Sequence, residues 1–120
     1  QNVYYRHQKL AKATRLAVDA WNLENMCLNP AEYSNSCTAV LMPKGFDADH
    51  LREVILEKFN MSLGTGLGKV KGKVFRIGHL GDFNELSLAG TLSGVEMGLR
   101  LAKIPHSQGG VNAALEFLSD

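Results

Sequence analysis

One cation set in an apolar strand is the residue of this sequence best suited to chemistry. Arg76 stands between Phe75 and Ile77, and the run then reaches two glycines, Gly78 and Gly81. Burying a guanidinium is costly unless an anion meets it, and its planar fork suits a carboxylate or a phosphate held at two points. The run therefore predicts an anion clamp at a strand end, although a partly exposed arginine with a snorkelling stem fits the same pattern.

Two neighbouring features could take part in the same site. His79 follows in the same run, and we expect it on the same face as Arg76, where it either assists that residue or caps the turn. A glycine-rich, basic segment precedes the run and contains Gly64, Gly66 and Gly68. These glycines fit a flexible hairpin loop or a loop that closes over a ligand. The segment lacks the Walker pattern and opens no helix, which argues against a P-loop.

The residue types give little support to other chemistry. His7, His50 and His106 show no metal-ligand spacing with one another or with the cysteines, so no metal site is predicted. No Ser/His/Asp or Cys/His set and no carboxylate pair can be proposed from spacing. Cys27 and Cys37 are expected as reduced thiols, and a bridge between them stays open as the alternative.

Length and charge bound the class of protein. The 120 residues suffice for one core, and a net charge of +1 with interspersed signs favours neither a nucleic-acid nor a membrane partner. No apolar run approaches the roughly 20 residues that span a bilayer. The chain has no initiator Met and no signal peptide, and it enters a helical pattern at once. We therefore expect residues 1–120 to be a single domain cut from a larger protein.

Hydrophobic spacing predicts four helices and three strands that must position Arg76. Helices are expected over residues 3–21, after an N-cap at Asp47, over residues 83–103 behind a capping box of Asp82 and Glu85, and over residues 108–118. Strands are expected over residues 38–42, from residue 61, and over residues 74–77. A right-handed crossover with the third strand inserted antiparallel gives the order 1-3-2, covered by helices on one face. The fold class is α+β, a two-layer sandwich.

A stripe of small residues marks the third helix. Gly90, Gly94 and Gly98 follow one another at intervals of four residues. Each costs about 1 kcal/mol against alanine in a helix interior, so the stripe predicts close approach to another element. Since apolar residues spread round the rest of this helix, we expect it to be buried on two sides, with the second side against something absent here.

The run 69–86, continuing through residues 88–97, resembles the C-terminal domain of class V aminotransferases, above all their serine–glyoxylate and alanine–glyoxylate members. These are fold-type I enzymes that depend on pyridoxal 5′-phosphate. The resemblance covers nearly all of the chain and is most specific in the run 76–81. It implies that Arg76 binds the substrate α-carboxylate and that the segment 64–68 lies near the site mouth. The implied reaction passes the amino group of serine or alanine to glyoxylate.

The resemblance also implies what the chain lacks. In the family, the Schiff-base lysine, the acidic partner of the pyridine nitrogen and most phosphate contacts belong to a large domain, and their motifs are absent from residues 1–120. Pyridoxal 5′-phosphate is therefore expected on that missing domain, with no catalytic residue in this chain and no activity from it alone. The implied partners are small amino acids and 2-oxo acids. The full-length protein is expected as a homodimer in the cytoplasm or, in a eukaryote, the peroxisome.

Two other functions stay open from the residues themselves. One is a freestanding module that binds small acidic metabolites through Arg76. The other is a structural or interaction domain that docks through the glycine-striped helix. The preferred amino donor is not fixed by the sequence.

Overall fold

Four helices and a small sheet form the part of the chain that the computed structural model describes, namely residues 2–25, 37–65, 72–78 and 84–119. Within these ranges the elements are α1 (Asn2–Ala20), β1 (Glu24–Asn25), β2 (Cys37–Leu41), α2 (Ala48–Phe59), β3 (Gly64–Thr65), β4 (Val74–Gly78), α3 (Glu85–Leu101) and α4 (Gly110–Leu118). The predicted α+β class is confirmed, and each predicted helix has a counterpart.

The sheet is antiparallel throughout, with the order β1-β2-β4-β3. β4 lies between β2 and β3, so the predicted order 1-3-2 is confirmed for the three expected strands. The second of them begins at Gly64 rather than at Met61. The edge strand β1 was not predicted, because Glu24 and Asn25 are polar and give no apolar pattern.

The helices cover one face of the sheet. Val40, Phe75 and Ile77 are fully buried in the same core cluster as helix residues such as Trp21 and Leu92. Successive residues of a strand point to opposite faces, so Ala39 and Arg76 belong to the face turned away from that core. Both are half-buried. The architecture is thus two layers, with Arg76 on the outer side of the sheet.

Local side-chain caps fix where two helices begin. Asp47 caps α2, as expected, and its Oδ1 accepts a hydrogen bond from the Asp49 amide at 2.9 Å. The cap expected at Asp82 is wrong: α3 begins at Glu85, and Asn84 Oδ1 accepts from the Ser87 amide at 2.9 Å. Asn84 stands immediately before the first helical residue, so its side chain can accept from a backbone amide that has no partner within the helix. An aspartate at position 82 could do so only if the helix began two residues earlier.

The glycine stripe of α3 is explained inside this domain. A Cβ built at Gly98 would lie 2.7 Å from Ile55 Cδ1 and 3.3 Å from Leu51 Cδ1, and one at Gly94 would lie 2.8 Å from Met61 Cε. These two glycines let α3 approach α2 and the segment after it. Gly90 has nothing within 4 Å of such an atom. Close approach therefore holds at two positions, and the neighbour is α2 and its following segment rather than a missing element.

Candidate functional site

Arg76 occupies the middle of an inner strand. In β4 it follows Val74 and Phe75 and precedes Ile77, and these apolar neighbours are at most 2% exposed. The strand forms because such residues fit a pleated, buried surface. A half-buried guanidinium on the outer face of the sheet favours a carboxylate or phosphate as its counter-ion, and a planar fork favours two-point contact. The anion clamp stays a prediction, as does the alternative of a partly exposed arginine with a snorkelling stem.

Both cross-strand neighbours of Arg76 are small. Ala39 lies opposite on β2, and Gly64 lies opposite on β3. A Cβ built at Gly64 would be 3.1 Å from both Arg76 Cβ and Arg76 Nε, and 3.5 Å from Nη2. The arginine side chain therefore passes directly over the backbone of Gly64. A larger residue at this position would compete with the guanidinium for space.

A second arginine holds the strand that carries Gly64. Arg52 of α2 donates from Nε to the Leu63 carbonyl oxygen at 2.9 Å, and from Nη1 to Asp49 Oδ1 at 3.3 Å. The Leu63 side chain is buried as well. Sequence reasoning missed Arg52, because a hydrogen bond to a carbonyl eleven residues away leaves no periodic pattern. The residue before Gly64 is thus fixed from both its backbone and its side chain.

The start of β4 is held near the N-terminal end of α2. The Ala48 amide donates to the Gly72 carbonyl oxygen at 2.8 Å, and the Met42 amide donates to that of Lys73 at 2.7 Å. Gly72 has a φ of 79°, a left-handed conformation that glycine adopts without strain. The strand that carries Arg76 is therefore tied to both β2 and α2 before it begins.

The structure brings together two of the residues predicted for the site. Gly64 meets Arg76, but as part of β3 rather than of a loop. Gly66, Gly68 and His79 lie outside the described residues. His79 is three positions after Arg76, and strand alternation does not predict the same face for residues at that separation. The role of His79 therefore stays a prediction.

A separate polar cluster joins α3 and α4 to the turn after α1. Glu96 Oε1 of α3 accepts a hydrogen bond from Trp21 Nε1 at 2.7 Å and another from the Val111 amide at 3.1 Å. It thereby caps α4, whose own N-cap residue Gly109 has no side chain to do so. A shallow cleft of about 280 Å³ adjoins it, lined by Ser93, Glu96, Met97, Arg100 and Val111. The contacts of this carboxylate are those of a structural anchor.

Metal binding and membrane spanning find no support in the described part of the chain. It contains no group of three or more His, Cys, Asp or Glu residues that could hold a metal ion. Among the helices of residues 2–25, 37–65 and 84–119, none is long and apolar enough to cross a bilayer.

Comparison with known proteins gives relatives that are longer than this chain. The serine–glyoxylate aminotransferase of Arabidopsis thaliana is 49% identical over 119 residues, which are 98% of this chain and 30% of that protein. The L-aspartate–glyoxylate aminotransferase of Paracoccus denitrificans is 43% identical over 117 residues, which are 97% of this chain and 30% of that protein. A scan against models of protein families finds no match.

The fold has a close counterpart among solved structures. The pyridoxamine–pyruvate aminotransferase of Mesorhizobium loti superposes with a TM-score of 0.89 at 29% identity, over 98% of this chain and 31% of the other. The chain therefore spans about 30% of the length of the proteins it matches.

Proposed function

We propose a function from the premise that this chain is a small domain of the class V aminotransferases. In this proposal it supplies the substrate-carboxylate clamp of a transaminase that depends on pyridoxal 5′-phosphate. The observation that carries the proposal is the place of Arg76, half-buried on the outer face of β4 and passing over Gly64. A fixed guanidinium there suits a carboxylate, the group that amino acids and 2-oxo acids share.

The overall reaction we propose moves the amino group of serine or alanine to glyoxylate and so yields glycine. Two of the relatives are named for glyoxylate as a substrate, with different amino donors. The role of this chain is to bind and orient, since holding a reacting group in one geometry contributes strongly to rate. Arg76 would bind the amino donor and the glyoxylate acceptor in turn, because each substrate carries a carboxylate beside the reacting carbon.

The cofactor, when bound in such enzymes, supplies the electron sink for the chemistry. The described residues do not fit it as a covalent anchor. A lysine that acts as a nucleophile must be desolvated or otherwise lowered in pKa. No lysine of the described part is buried, and Lys73 at the start of β4 is exposed. We therefore expect the cofactor on residues outside this chain and no transamination from the 120 residues alone. A homodimer and a cytoplasmic location stay predictions.

The test uses the full natural polypeptide that contains these residues, loaded with its cofactor. Arg76→Lys keeps the charge and loses the fork, and Arg76→Gln loses both. We expect the KM for serine and for glyoxylate to rise about tenfold in the first variant and about a hundredfold in the second, as the loss of charge-assisted hydrogen bonds implies. Arg100→Lys, an exposed residue of α3, is the matched control and should leave KM unchanged.

A substrate without the carboxylate makes the test specific. Ethanolamine is serine without that group, so the natural enzyme should prefer serine strongly in kcat/KM. Arg76→Gln should shrink that preference by lowering kcat/KM for serine while leaving the value for ethanolamine nearly unchanged. An unchanged preference, or an unchanged KM for both natural substrates, would show that Arg76 does not bind the carboxylate.

A further inference from the structure

Gly64 determines the space in which the Arg76 side chain lies. It is the direct cross-strand partner of Arg76 in the β3–β4 pair. A Cβ there would press at 3.1 Å on both Arg76 Cβ, near the backbone, and Arg76 Nε, in the guanidinium. Contact with Nη2 would follow at 3.5 Å. The stem and the Nε–Nη2 edge of the guanidinium therefore both rest over the bare backbone of the glycine.

The backbone at Gly64 has little freedom to move away. The preceding residue, Leu63, is buried, and its carbonyl oxygen accepts the 2.9 Å hydrogen bond from Arg52 Nε. The following residue, Thr65, pairs with Phe75 of β4. With its own strand held on both sides, an added methyl group would have to be accommodated by the arginine. Arg76 Cβ is held by β4 and needs to give by only a few tenths of an ångström, so most of the adjustment falls on the guanidinium.

We propose that Gly64 is a positioning residue that sets the orientation of the Arg76 guanidinium toward the substrate carboxylate, an inference that rests on the proposed function. Two-point recognition depends on the direction of the fork as well as on its charge. A displacement of less than an ångström changes how well both nitrogens reach one carboxylate. The glycine acts through Arg76 and does not itself touch the substrate.

The test is Gly64→Ala in the full natural polypeptide with its cofactor. The KM for serine and glyoxylate should rise about tenfold, because small misplacements at a binding group are costly. The kcat should stay within about twofold, and the melting temperature within about 3 °C, since the fold loses no contact. Gly90→Ala is the matched control: nothing lies within 4 Å of its added methyl group, and both kinetic constants should stay unchanged.

A double variant separates positioning from stability. When Arg76→Lys has already removed the fork, the additional change Gly64→Ala should raise KM by less than about twofold, since coupled residues are non-additive. An additive increase in KM would overturn the inference, as would an unchanged KM in Gly64→Ala. A variant that fails to fold, or melts far below the natural protein, would also overturn it by making the glycine structural.

The two proposals fail in different ways. If Arg76→Gln leaves KM unchanged, the carboxylate clamp itself is wrong. If Arg76→Gln raises KM while Gly64→Ala does not, the clamp stands and only the role of Gly64 is wrong.

Discussion

Glu96 joins α3 and α4 to the turn after α1 through a single carboxylate oxygen. That oxygen accepts from the indole of Trp21 in the turn after α1 and from the Val111 amide at the start of α4. Trp21 is fully buried, and its carbonyl oxygen accepts a hydrogen bond from the Ser107 amide at 2.8 Å. A Cβ at Gly110 would overlap the same indole ring, so α4 begins in contact with it. The Glu96 carboxylate thus links α3, the turn after α1 and the start of α4 at one end of the helical layer.

The surroundings of Glu96 lower the pKa of its carboxyl group. Partial burial alone would raise that pKa, but hydrogen bonds from Trp21 and from the amides of Val111 and Gly110 favour the charged form, and His106 adds an attractive charge. Arg100 lines the same cleft. Because the folded-state pKa lies below the ordinary value of 4.5, the stability from Glu96 is present above pH 4.5. It is lost as the pH falls through the folded-state pKa.

Glu96→Gln should therefore destabilise the 120-residue chain in a pH-dependent way. We expect a loss of about 1 kcal/mol in the free energy of unfolding at pH 7, modest because the carboxylate is partly exposed. The difference between the natural protein and the variant should shrink as the pH falls from 4.5 through the folded-state pKa, where Glu96 itself becomes neutral. Urea unfolding at a series of pH values measures it. Glu57→Gln, an exposed change on α2, is the control, and an equal loss there would refute the anchor.

α2 and α3 can cross closely because the α3 residue at the contact is a glycine, which has no side chain. At Gly98 the α3 backbone meets the ends of Ile55 and Leu51, two fully buried residues of α2. Close packing of this kind leaves no room for a methyl group without a shift of the neighbouring side chains. Gly90 is on the exposed side of the same helix and meets nothing. The two glycines therefore have opposite roles in stability, although the sequence presents them as one stripe.

Alanine at these two positions should change stability in opposite directions. Gly98→Ala should lower the free energy of unfolding by about 1–3 kcal/mol through overpacking. Gly90→Ala should raise it by up to about 1 kcal/mol, because alanine is the better helix former. Thermal or urea unfolding of both variants tests the pair. Equal gains at both positions would show that the helices separate easily and that the contact with Ile55 is not tight.

Elements with a repeating apolar pattern could be predicted, and long-range polar contacts could not. The helix that Asp47 caps, the strand of Arg76 and the close approach at Gly98 each leave a local signature in the sequence. Arg52 and Glu96 leave no such signature, because only the folded chain brings them close to their partners, Leu63 and Trp21. The cap of α3 was misplaced by two residues, since aspartate and asparagine compete for the same role.

The candidate site was only partly accessible to sequence reasoning. Arg76 could be identified because a cation in an apolar strand violates the pattern around it. The pairing with Gly64 depends on strand register, and a glycine-rich segment does not specify its own register.

The molecule as a whole presents an apolar stripe on the outer side of α3. Leu86 is 84% exposed, Met97 44% and Leu101 50%. Helical geometry puts these residues and Gly90 on one side, opposite the buried residues Leu88, Leu92, Val95 and Leu99. The expected burial of α3 on two sides is met on one of them by the core and α2. The other side is exposed in this chain, and its burial against an absent element stays a prediction.

Exposed apolar side chains in a row favour association of the 120-residue chain in solution. We expect its mean mass in sedimentation experiments to rise with concentration. Replacing Leu86 and Leu101 together with lysine should suppress that rise and leave the melting temperature nearly unchanged, because neither side chain is part of the core. Leu56→Lys with Leu115→Lys is the control of equal charge, at leucines that are 50% and 42% exposed elsewhere. If both double variants suppress association alike, the added charge is the cause and the stripe is not; a monomer at all concentrations would remove the prediction.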